Sequence, residues 1–222
     1  MDKAKQRVKK KAAAKPSSID TAREASQVRV KWLIVIFATA LSLRVLYLIQ
    51  IQSIPLFYNL PGDGRTYDDW AQRIAAGDWL GSGVFYQAPL YPYFLGIWQA
   101  ILGHNLWAIR MIQAVLGALS CALIFLVGER LFSRSAGVAS GLVLAFYAPA
   151  IFFDVLIEKS VLDVFLLSLL LWVLVCAWSR RDWRRWLSAG AILGLLGLSR
   201  ENALILAVVV PVWIAIYFSE QA

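Results

Sequence analysis

The sequence predicts an all-helical, polytopic membrane protein with about six transmembrane segments and a large first loop that carries juxtamembrane helices. Three observations predict it. Sixty per cent of the 222 residues are hydrophobic, ten are tryptophan, and the mean hydropathy is +0.64, well above that of a soluble domain. Apolar runs approaching the ~20 residues needed to cross a bilayer recur along the chain. Those runs are continuous instead of alternating, which selects helices over a closed barrel, the other architecture that satisfies backbone groups in lipid.

The formal charge of +8 is concentrated at the N-terminus, where residues 1–31 hold ten Lys/Arg against three acidic residues. Such a tail, rich in Ala and interrupted by Pro and Ser, reads as disordered, cytoplasmic and held near anionic lipid. No folded module or interleaved aromatics accompany the charge, which argues against nucleic-acid binding. Residues 32–222 form the membrane-embedded domain. The first apolar run, residues 32–52, is too long for a signal-peptide core and is read as a retained anchor. It carries Arg44 within its apolar part.

The first loop, residues 61–92, is the longest polar interruption and contains Asp63, Asp68, Asp69 and Asp78. Residues 66–79 have helical character, with Asp69 and Arg73 one turn apart, and Tyr67 and Trp70 sharing a face. Residues 89–102 open on prolines, close on Gly103 and are apolar enough to lie in the membrane interface. Further spans are predicted at 106–132, 136–153 and 155–178, with two shorter apolar stretches at 187–198 and 203–218. Within a helix over 155–178, Asp154 and Glu158 stand four apart at its mouth and share a face. At ~1.5 Å per residue, Arg44 and Asp163 reach similar depths, which predicts an Arg44–Asp163 contact. Cys121 and Cys176 fall inside apolar runs as small hydrophobes. His104, the single histidine, has no metal-ligand partners at a recognisable spacing.

With the tail inside, the basic loops at 130–134 and 180–185 also fall inside, as the positive-inside rule asks. The first loop, the 154–159 region and Arg200 then fall together on the outer side.

The pattern Gly62-Asp63…Tyr67, Ala88-Pro89-Leu90-Tyr91-Pro92, Arg110…Gln113, Gly128-Glu129-Arg130-Leu131-Phe132, Tyr147-Ala148-Pro149, Glu158 and Leu198-Ser199-Arg200 resembles the N-terminal half of the GT-C class of membrane glycosyltransferases. The branch is that of the protein O-mannosyltransferases, aminoarabinose transferases and Rgt-type enzymes. The resemblance spans about residues 33–218. Relatives of this kind commonly carry more helices, so the chain is expected to be incomplete at its C-terminus or to work with a second subunit.

The resemblance implies transfer of a sugar from a polyprenyl-phosphate donor to an acceptor on the outer face of a bacterial-type inner membrane. Phosphate is a good leaving group, so the chemistry needs a base for the acceptor hydroxyl and cations for the phosphate. By residue-by-residue match the base is Asp63, flanked by Gly62 and Gly64, with Asp68 and Glu158 as further catalytic candidates. Arg200 is the expected phosphate ligand, through a bidentate guanidinium. Arg65, Tyr67, Tyr91, Asp154 and Lys159 are expected to line the substrate site. No cofactor is firmly predicted; the carboxylates could hold a divalent metal, but their spacing does not demand one. Two other classes fit the same composition, a transporter or flippase for lipid-linked sugars and a non-catalytic membrane subunit. Neither requires a loop carboxylate.

Overall fold

The computed structural model describes residues 18–81, 87–178 and 183–219. Every regular element among them is helical. Nine α-helices follow in order: α1 (Ser18–Ile51), α2 (Asp63–Ala75), α3 (Leu90–Leu102), α4 (Leu106–Leu131), α5 (Arg134–Phe146), α6 (Ala148–Val155), α7 (Ser160–Trp178), α8 (Trp183–Ser199) and α9 (Leu204–Ser219). Short 3-10 turns stand at Pro55–Phe57 and Glu201–Ala203. Most of the basic tail, residues 1–17, and residues 179–182 of the second basic loop lie outside the described residues. The chain divides into one unit of Met1–Val35 and a second of Ile36–Ala222; the site lies wholly within the second.

Among the described residues, three helices are long and apolar enough to cross a membrane: Arg23–Ile51, Leu106–Leu131 and Ser160–Trp178. A fourth span results if α5 and α6, bent by 56° at their junction, are counted together. Among the described residues that is fewer than the six expected; Leu90–Leu102 and Glu201–Trp213 are apolar but shorter.

The junctions explain themselves locally. Asn105 and Ser133 cap α4 and α5 by accepting from the backbone N–H of Ala108 and Ala136. Pro149 occupies the first turn of α6, where a missing N–H costs nothing. The apolar run expected over 136–153 is therefore two helices. The one expected over 155–178 begins only at Ser160, leaving residues 156–159 non-helical.

α2 is amphipathic: Gly64, Tyr67, Asp68, Ala71 and Ile74 form its buried face and pack on α3. α4 is the central element, lying against α5, α6 and α7. α4 and α5 meet through glycines; a Cβ at Gly137 would stand 2.6 Å from the Glu129 backbone nitrogen. The main core gathers Tyr67, Tyr91, Leu95, Ile109, Ile157 and Leu166 from α2, α3, α4, α7 and the segment before it.

Candidate active site

The site is assembled around the break between α6 and α7. A buried irregular segment must have its carbonyls satisfied by protein, and here α4 supplies the donors. Arg110 Nε donates to the Val155 carbonyl at 2.9 Å. Gln113 Nε2 donates to the carbonyls of Asp154 at 3.0 Å and Leu156 at 2.5 Å. The other end of the same amide, Oε1, accepts from the Tyr91 hydroxyl at 3.0 Å. One glutamine thus ties α3, α4 and the break together. Tyr91 is fully buried in this role and edge-on to Tyr67 at 5.1 Å.

Below the break, Arg44 donates through Nε to Asp154 Oδ2 at 2.7 Å, with a second nitrogen also at 2.7 Å. Both side chains are buried, and the pair lies against Gly117, where a Cβ would fall on the Asp154 carboxylate and 2.5 Å from Arg44 Nε. The expected Arg44–Asp163 contact is therefore corrected to Arg44–Asp154. Because α7 starts five residues beyond position 155, Asp154 belongs to the preceding helix and turns inward, while Asp163 sits in the first turn of the next. For the same reason Asp154 and Glu158 do not share a helical face.

Asp163 instead accepts from Ser199 Oγ at 2.5 Å and stands 2.9 Å from Arg200 Nε, an ion pair by distance though not a hydrogen bond by angle. Arg200 is about half exposed, and the two head an apolar cleft of about 430 Å³ that includes Val164, Leu167, Leu196 and Leu206.

Above the break lie the carboxylates. Gly62, at φ +56°, reverses the chain in a conformation that L side chains rarely adopt and delivers Asp63 to the first turn of α2. Asp63 is exposed and accepts from Gln87 Nε2 at 3.1 Å. Burial, and next to it the charge of Asp63, raises the Glu158 carboxyl above the usual glutamate value, with Lys159 opposing. The Tyr67 phenol is pushed up to about 12 by burial first, then by the charges of Glu158, Asp63 and Asp163, with Arg200 acting the other way. Asp63, Glu158, Asp163 and Arg200 thus all act on the buried Tyr67 phenol.

Asp68 is placed differently from the other candidates. Its carboxylate is buried and accepts from Gln99 Nε2 at 2.8 Å and Gln72 Nε2 at 2.9 Å, with His104 Nε2 2.8 Å away. His104, which has no partner by sequence spacing, here clasps α2 to the turn before α4. Asp69 pairs with Arg65 at 3.8 Å on the exposed side of α2, in place of the expected Arg73. Among the described residues no group of three or more His, Cys, Asp and Glu side chains could hold a metal ion.

Sequence alone does not point to Gln113, Gln99 and His104 for these roles. Arg110 and Gln113 are visible there only as parts of a motif, because a carbonyl clamp needs the break in order to be recognised.

Residues 86–220, more than half of the chain, match the family model described as dolichyl-phosphate-mannose-protein mannosyltransferase. No curated protein matches the chain, and no solved structure matches it.

Proposed function

Starting from a chain that belongs to the dolichyl-phosphate-mannose-protein mannosyltransferase family, within the GT-C class of membrane glycosyltransferases, we propose that it transfers a sugar from a polyprenyl-phosphate donor to an acceptor hydroxyl on the outer membrane face. The observation that carries this reading is the convergence of Asp63, Glu158 and the Asp163–Arg200 pair around Tyr67. These residues come from three separate parts of the chain, and an open carboxylate, a half-buried carboxyl and a cation are the groups the reaction needs.

Asp63 is the base. It takes the proton of the acceptor hydroxyl as that oxygen bonds to the anomeric carbon; the bond from that carbon to the phosphate oxygen breaks, and polyprenyl phosphate leaves with the electron pair. Glu158, which holds a proton more readily than an ordinary glutamate, binds sugar hydroxyls as donor or acceptor. Arg200 meets the donor phosphate, with the prenyl chain along the apolar cleft of α7, α8 and α9. Tyr91, Asp154 and Asp68 are read as framework, since their polar atoms are committed to Gln113, to Arg44, and to Gln99, Gln72 and His104.

The test is sugar transfer in membranes supplied with labelled polyprenyl-phosphate sugars. Asp63→Asn is expected to lower turnover by about 10²–10⁴-fold, the usual contribution of a general base, while donor binding persists. Equal turnover in the variant removes Asp63 as base; donor binding without turnover in the native chain points to transport.

A further inference from the structure

At the head of the apolar cleft, the charge of Arg200 is balanced while its hydrogen-bond donors are left free for a ligand. Asp163 Oδ2 lies 2.9 Å from Arg200 Nε, but at an angle that makes no hydrogen bond, and Arg200 is half exposed. The carboxylate does not depend on the arginine for its place. Its other oxygen, Oδ1, accepts from Ser199 Oγ at 2.5 Å, and the residue is 9 % exposed. Asp163 also stands in the first turn of α7, where a helix end favours negative charge. A phosphate that engages Arg200 therefore meets a guanidinium with a fixed carboxylate beside it. The rest of the cleft is mostly apolar, with Val164, Leu167, Leu196 and Leu206 among its lining.

The transfer reaction changes the charge of what this cleft holds. The donor is a phosphodiester with one negative charge. When the bond from the anomeric carbon to the phosphate oxygen breaks, that oxygen keeps the electron pair. The prenyl phosphate left behind is a monoester whose second pKa is about 6, so it carries close to two negative charges at neutral pH. A lone arginine attracts a dianion about twice as strongly as a monoanion at the same distance. It would hold the product more tightly than the substrate. The Arg200–Asp163 pair has no net formal charge, which removes that advantage, while the guanidinium N–H groups still serve the phosphate oxygens common to both ligands.

We propose that Asp163 determines the charge specificity of this cleft: it lets Arg200 accept a singly charged prenyl phosphodiester without retaining the doubly charged prenyl phosphate. The inference rests on the reading that Arg200 meets the donor phosphate, and adds to it a reason for the buried carboxylate beside that arginine.

The experiment measures binding of methyl farnesyl phosphate, a monoanionic diester, and farnesyl phosphate, its monoester, to the full chain in nanodiscs of zwitterionic lipid. The pH is held about two units above the monoester's second pKa of about 6. The quantity read is the ratio of the two affinities, in which losses common to both ligands cancel. In the native chain the monoester is expected to bind no more than about threefold more tightly than the diester. In Asp163→Asn, which keeps an acceptor for Ser199, the monoester should gain about 10-fold or more relative to the diester. Asn202 is an exposed residue of the same cleft. Asn202→Asp adds a carboxylate without disturbing a buried group, and should shift the ratio several-fold the other way.

A ratio that Asp163→Asn leaves unchanged overturns the role of Asp163. If that variant does not fold, an unchanged ratio in Asn202→Asp overturns it instead. A native chain that already binds the monoester about 10-fold more tightly does the same. Arg200→Gln should weaken both ligands about 10-fold or more. Loss of both ligands there, with no change of ratio in Asp163→Asn, removes the charge specificity and leaves the donor berth standing. Unchanged binding of both in Arg200→Gln removes the donor berth, and the inference with it.

Discussion

Glu158 and Arg44 are both ionisable groups withdrawn from water, yet the consequences of changing them differ. The native Glu158 carboxyl keeps its proton to a higher pH than it would in the unfolded chain. Its contribution to stability is therefore full below the unfolded-state value and is lost as pH rises through the native one. Thermal melts of the native chain and Glu158→Gln across that window should show the fall only in the native chain. Asp63→Asn, which removes a charge that raises Glu158, should shrink the fall and end it at lower pH. Arg44 and Asp154 are matched, so removing one leaves the other charged and buried. Arg44→Met is expected to cost about 3–5 kcal/mol, and the double variant Arg44→Met/Asp154→Leu to recover much of it, as read by denaturation of the purified protein. That Arg44 needs a partner was legible in the sequence; which acid supplies it was not, because reckoning by depth assumes an unbroken helix.

Elements rather than residues explain most of what the sequence concealed. Helices α2 and α3 were readable from their polarity, prolines and closing glycine, and they fall within a few residues of where the pattern puts them. The break at 156–159 was not readable, since apolar residues lead into it without a proline signal. Its cause is tertiary: Arg110 and Gln113 on α4 donate to the carbonyls that a helix would have kept to itself. The small residues on α4 make the same point through packing. Gly117→Ala should destabilise by about 1–3 kcal/mol, the usual cost of overpacking, because the new methyl must displace the Arg44–Asp154 pair. In the double variant Arg44→Met/Asp154→Leu the charged clash is gone, and the penalty of Gly117→Ala measured by the same denaturation should shrink.

For the whole molecule, the all-helical membrane architecture was legible from composition alone, whereas the number of crossings was not, because apolarity without length does not define a span. The orientation expected from the charge pattern is open to direct test. In a background of Cys121→Ala and Cys176→Ala, a cysteine at Ala76 in the first loop should react with an impermeant maleimide in intact cells. One at Phe132, between α4 and α5, should react only after permeabilisation; the reverse pattern inverts the protein and moves the chemistry to the cytoplasmic face. The carbonyl clamp has a mechanical corollary. Since Glu158 follows directly on a segment pinned to Arg110 and Gln113, its elevation is referenced to α4 and not to the lipid around it. Bilayers of different thickness can tilt the bundle, but the clamp makes α4 a rigid gauge block against which Glu158 keeps its height.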